Sequence, residues 1–155
     1  MEFDVYSRKN PSARYTELIK LYRHAHEQGQ PEIGNKPEDT FAGKVRIQHA
    51  SRISFFTKFC GAQRLLDYGA GKGHQYDLNR TDVDLREVYG VTEITCYDPG
   101  HQPYSSLPDG SFDGVICLDV MEHCPEEDLP WIISEIIGYA EKFVYFTVAC
   151  FKAEK

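Results

Sequence analysis

Apolar residues recur at Tyr15, Leu18, Ile19, Tyr22 and Ala25, the spacing of one helix face, until Gly29 ends the pattern. Asn10-Pro11 announces that helix, a capping side chain followed by a proline suited to the first turn. Gly29, Pro31, Gly34, Asn35, Pro37 and Gly43 punctuate residues 29–43 as a loop. A second helix is predicted over 44–59, with Val45, His49, Ile53, Phe56 and Cys60 on one stripe. After Gly61 the pattern changes to short, continuous apolar runs. Arg64–Tyr68, Glu93–Tyr97, 113–118 and 143–150 read as strands, the last one fully buried. Helices are predicted at 82–89 and 125–140, the second with Leu129, Ile132, Ile133, Ile136 and Ile137 inward. Residues 99–111 read as loop, with room for a very short strand at 104–107. Such alternation predicts an α/β fold: a three-layer sandwich with a mostly parallel sheet covered on both faces. Residues 1–60 then form an N-terminal helical extension packed on a core of 61–155, a single domain in all. In such sheets ligands bind at the carboxyl ends of the strands, here 67–73, Asp98 and 119–123.

A chain of 155 residues suffices to bury a core without disulfides or a structural metal. The longest apolar run, 143–151, contains a threonine and is too short to cross a bilayer. Met1-Glu2-Phe3-Asp4 carries acid where a secretory signal carries base. Five cysteines (60, 96, 117, 124 and 150) lack paired spacing, and the expectation is free thiols in a reducing cytoplasm. The net charge of −7 is uneven: +4 over residues 1–66, −13 over 67–141 and +2 beyond. Between Phe41 and Leu66 there is no acid at all, which a basic segment packed beside an acidic body explains. The acidic majority argues against a nucleic-acid groove and suits a cationic ligand.

The densest motif is Leu65-Leu66-Asp67-Tyr68-Gly69-Ala70-Gly71-Lys72-Gly73. Glycines there let the chain turn sharply off a strand and let a ligand approach the backbone. A phosphate-binding Walker loop needs glycine at position 66 and Ser or Thr at 73, and has neither. A dinucleotide fingerprint needs a third glycine where His74 stands, which weakens a nicotinamide oxidoreductase. The remaining form, acid-x-Gly-x-Gly-x-Gly off a strand, resembles motif I of the class I S-adenosylmethionine-dependent methyltransferases.

The resemblance extends in register over residues 61–150. Asp98 ends the next strand, and Phe112 to His123 resembles the family's fourth strand with its Leu-Glu-His ending, methionine replacing leucine. It implies a Rossmann-like core and S-adenosyl-L-methionine as cofactor. By this likeness Gly69, Ala70, Gly71 and Gly73 line the cofactor, and Asp67 holds its ammonium directly or through water. Asp98 takes the ribose, Pro99, Ser106 and Leu107 flank the adenine, and Leu118 and Asp119 face the methionine end. Strand-end capping is the plain alternative for Asp67 and Asp98, and a solvated side chain for Lys72. His123 and Glu122 are the candidate acid–base residues, since imidazole suits proton removal near neutrality. Their alternative role is to anchor the helix that follows. Asp119, Glu122 and His123 also resemble a divalent-metal cluster of some relatives, but Cys124 to Glu127 lacks the further histidine, and no metal is assigned.

The other histidines divide by position. His24 and His26 fall on different helix faces, His49 reads as a core histidine or a roof over the cofactor, and His74 and His101 flank the motif loops. The chain ends straight after its fifth family strand, without the usual closing hairpin, leaving an apolar edge. The N-terminal helices cover it, two chains pair along it as a homodimer, or the chain is truncated. The function expected is a cytoplasmic methyltransferase acting on a small-molecule acceptor rather than nucleic acid or membrane. The alternative is a non-catalytic, methyltransferase-like module that binds cofactor and serves association.

Overall fold

The computed structural model describes residues 6–41 and 48–150. Its strands are β1 (Arg64–Tyr68), β2 (Glu93–Tyr97), β3 (Phe112–Leu118) and β4 (Ala140–Thr147), all parallel in the order β2-β1-β3-β4. The helices are α1 (Ala13–Gln28), α2 (Ala50–Cys60), α3 (Leu85–Tyr89) and α4 (Leu129–Tyr139). Successive strand residues point to opposite faces, so one apolar run supplies two cores. Leu66, Tyr68, Val115 and Cys117 pack with Ile132 and Ile136 of α4 and Tyr15 of α1. Leu65, Ile116 and Leu118 pack with Ile53 of α2 and with Leu85 and Tyr89 of α3. The result is a Rossmann-like, three-layer α/β sandwich. Strand order reverses between β1 and β3, which opens a crevice at their carboxyl ends. Among the described residues no helix is long and apolar enough to cross a membrane.

Several boundaries differ from the sequence pattern. The expected opening of the second helix, including Val45, lies outside the described residues, and Phe56 on its stripe is exposed. The very short strand at 104–107 is absent; a helical turn at Gln102–Tyr104 stands there, and Tyr104 O accepts the Asp98 N–H at 2.9 Å. Ile137 is 58% exposed, because α4 buries only the line through Ile132 and Ile136. The last strand begins at Ala140, three residues early, and is half-exposed rather than fully buried. It lies at the sheet edge, where polar residues are tolerated: Lys142 Nζ reaches Asp113 Oδ1 at 2.8 Å and Gly61 O at 3.0 Å.

The start of α1 is set from far along the chain. Ser12, not Asn10, is its N-cap, with Oγ accepting the Tyr15 N–H at 3.0 Å. Ser12 N–H and Oγ–H donate to Asp128 Oδ1 and Oδ2 at 3.0 and 2.5 Å, and Trp131 Nε1–H donates to Oδ1 at 2.8 Å. Asp128 is fully buried at the foot of α4. Nearby, Arg8 pairs with Glu135, donates to Tyr68 OH at 2.8 Å and lies 4.8 Å above the Trp131 ring. The two contacts seat α1 across the carboxyl rim of the sheet.

Burial raises the Asp128 carboxyl, but hydrogen bonds from Ser12 and Trp131 outweigh it and hold the group below its ordinary value. Its stabilisation is therefore present above about pH 3.9 and is lost as acid protonates the folded carboxyl. Asp128→Ala is expected to lower the unfolding free energy by about 3 kcal/mol in urea titrations near neutrality. That difference should shrink as acid protonates the carboxyl in the folded protein; a deficit that persists unchanged in strong acid contradicts the clamp.

Candidate functional site

The glycine turn after β1 is built by the chain for itself. Gly69 and Ala70 N–H both donate to Tyr97 O, at 2.7 and 3.0 Å, stitching the ends of β1 and β2 together. Gly71 has φ +60°, and a β-carbon there would lie 2.4 Å from Phe41 O. At Gly69 (φ +82°) it would lie 2.4 Å from a Val120 methyl. Phe41 and Val120 thus occupy the positions that β-carbons would take at these two glycines. Phe41 O also accepts the Lys72 N–H at 3.1 Å, while Lys72 Nζ donates to His26 O, at the end of α1, at 2.8 Å. Lys72 is therefore a strut to α1 rather than a merely solvated side chain.

Between this turn and α1 lies a cavity of about 250 Å³. One wall is the α1 face of Tyr15, Leu18, Ile19, Tyr22 and His26; Phe41 joins it. The other comprises residues 68–71, 98–100, 118–120, 123–125 and Ile132. None of these lining residues is a lysine or arginine, and Asp98 and Asp119 are the carboxylates among them. Of the residues singled out in the sequence, Gly69, Ala70, Gly71, Asp98, Pro99, Leu118, Asp119 and His123 meet here. Asp67, Gly73, Ser106, Leu107 and Glu122 do not line it. Asp67 is fully buried, accepting from Gln75 Nε2 at 3.2 Å and Tyr76 OH at 2.8 Å. Gly73 packs beneath Tyr104, and Leu107 is 46% exposed. His49 bonds Tyr145 OH at 2.9 Å, and neither His74 nor His101 borders the cavity.

Asp98 ties three loops together. Its Oδ2 accepts the Gly71 N–H at 2.8 Å, and its Oδ1 accepts those of Gly100 and His101 at 2.8 and 3.2 Å. Burial raises its carboxyl, and the three backbone donors counter only part of that rise. A carboxylate oxygen accepts two hydrogen bonds, so Oδ2 keeps one site for a ligand. Asp119 has φ +53°, with Oδ1 accepting the Thr147 hydroxyl at 2.7 Å. Phe41 has the same left-handed φ of +53°; among the described residues these are the two non-glycine cases, and both line the cavity. Backbone strain of this kind clusters where a site demands it. Glu122 Oε1 accepts the Ala149 N–H at 3.0 Å, so the acids after β3 hold the end of β4. His123 is exposed at the mouth, edge-on to Tyr22 at 6.1 Å. Burial pushes the Cys124 thiol up to about 11, which leaves no thiolate nucleophile at neutral pH. Among the described residues no group of three or more His, Cys, Asp or Glu is placed to hold a metal ion.

The α1 wall was legible as a helix but not as part of a site. An apolar stripe reads the same whether it faces a core or a ligand. His26 is likewise new as a site residue: it is buried, lies tilted against the Phe41 and His101 rings with centroids 4.9 and 4.8 Å away, and stands 3.9 Å from Asp98 Oδ1. Burial, helped by Lys72 and His101, lowers its pKa to about 3. The unfolded chain therefore binds the proton first, and His26 removes stability as pH falls from about 6.5 towards that value. The contribution to the slope is at most about 1.4 kcal/mol per pH unit. His26→Phe is expected to flatten the acid limb of stability against pH in urea titrations; an unchanged limb contradicts the neutral, buried imidazole.

Comparison with protein-family models, with curated proteins and with solved structures finds no match to this chain.

Proposed function

We propose that this chain binds S-adenosyl-L-methionine in the crevice between β1 and β3 and transfers its methyl group to a small-molecule acceptor. The observation that carries the reading is the acid-rimmed cavity at the strand-order reversal, bounded by the glycine turn and Asp98. A ligand bearing a sulfonium and an ammonium is favoured there, because among the described residues two carboxylates and no lysine or arginine line the walls. The residues fit the group in part. Asp98 offers Oδ2 to the ribose, and the backbone of Gly69 and Gly71 borders the same space. Asp67 is enclosed by Gln75 and Tyr76, so Asp119 is the carboxylate left to face the ammonium.

When bound, the cofactor supplies a methyl group on an already activated sulfur, so positioning and exclusion of water carry most of the rate. Tyr15, Leu18, Ile19 and Tyr22 supply the dry wall. His123 at the mouth is the base for an acceptor proton, and Glu122, held by Ala149, positions the turn that carries it. One observation favours the rival reading of a cofactor-binding module without turnover: Asp119 and Glu122 both spend a carboxylate oxygen on the end of β4.

Calorimetric titration with S-adenosylhomocysteine is expected to show micromolar binding, and NAD none. Asp98→Ala should weaken that binding by about 1–3 kcal/mol. Unaltered affinity in the variant removes the ribose assignment. Methyl transfer into a metabolite pool, lost in His123→Ala with cofactor affinity retained, separates enzyme from module.

A further inference from the structure

His26 is 5% exposed, borders the cavity and, among the described residues, leaves one ring nitrogen unanswered. Among the described residues its Nδ1 has no hydrogen-bond partner, and its Nε2 stands 3.9 Å from Asp98 Oδ1, beyond bonding reach. Buried polar groups are normally satisfied, so an imidazole fixed in this state calls for a ligand. It is fixed: Phe41 and His101 hold the ring on two sides, and Lys72 holds the backbone carbonyl. The Asp98 carboxylate favours the tautomer with the proton on Nε2, leaving Nδ1 as an unprotonated acceptor, the less costly orphan.

We propose that His26 is a ligand-contacting residue that acts with Asp98 to recognise a hydroxyl of a vicinal-diol sugar, the ribose of a nucleoside-type ligand. The assignment rests on the cofactor reading and adds to it a residue that the glycine motif does not include. A carboxylate can only accept hydrogen bonds, so by itself it reads half of a hydroxyl group. His26 supplies the missing donor. The hydroxyl's own proton goes to the accepting site that Asp98 Oδ2 keeps, while its oxygen takes the Nε2–H of the ring that stands beside the same carboxylate. A sugar lacking that hydroxyl leaves the imidazole donor and the remaining Oδ2 site unanswered, and sites built to bond a hydroxyl reject such analogues strongly. Burial keeps the ring neutral, so this recognition does not depend on imidazole charge.

The probes are S-adenosylhomocysteine, adenosine, 2′-deoxyadenosine and 3′-deoxyadenosine, titrated calorimetrically into the wild-type chain and into His26→Phe. The phenyl ring keeps the packing against Phe41 and His101 and removes the hydrogen bond. One deoxynucleoside is expected to bind the wild type about 10-fold more weakly than adenosine, with the difference nearly abolished in His26→Phe. Equal discrimination by both proteins, or none by the wild type, overturns the His26 assignment while S-adenosylhomocysteine binding upholds the cofactor reading. No binding of either adenosine or S-adenosylhomocysteine overturns both. Should the variant fail to fold, the ¹⁵N imidazole resonances of the wild type carry the test. The His26 Nε2 signal should move with adenosine and far less with the discriminated deoxynucleoside; a signal unmoved by bound adenosine overturns the proposal.

Discussion

The cavity exists because α1 is held at both ends across the rim of the sheet. At its start Ser12 donates twice to the buried Asp128, which Trp131 also bonds. At its end the Lys72 ammonium bonds His26 O, so the glycine turn itself grips the helix. Hydrogen bonds to a buried charge are among the stronger single contacts in a protein, and losing one strands the partners. Without them the apolar face of Tyr15, Leu18, Ile19 and Tyr22 would have nothing to close against. The parallel sheet supplies the floor, but the clamp makes it a pocket.

Asp98 shows how one carboxylate can be both scaffold and candidate ligand partner. Three backbone N–H groups hold it, joining the loops after β1 and β2 into one rim. Burial nevertheless leaves it with a raised pKa and one free acceptor site, the state of a group waiting for a further donor. Asp67, one strand away, has the same chemistry and the opposite fate. Gln75 and Tyr76 enclose it, and it serves the turn from beneath. Phe41 and Asp119, both at positive φ, mark where the backbone is held against its preference, and both lie on the cavity.

The alternation of strands and helices, the two-sided burial of the sheet and the sharp turn at Gly69 to Gly73 were all legible in the chain. They follow from local causes: side-chain period, continuous apolar runs and the freedom of glycine at positive φ. Asp98, Asp119 and His123 were legible as site candidates because strand ends of a parallel sheet converge there.

Only the tertiary structure decided the rest. It chose Ser12 over Asn10 as the cap, because the partner that rewards it, Asp128, lies 116 residues away. It turned Asp67 inward, drew Lys72 to α1, and pointed the α1 stripe and His26 at a cavity rather than a core. Periodicity records which face of an element is apolar, but not what that face meets. That is set by contacts between residues distant in sequence, and no local pattern contains them.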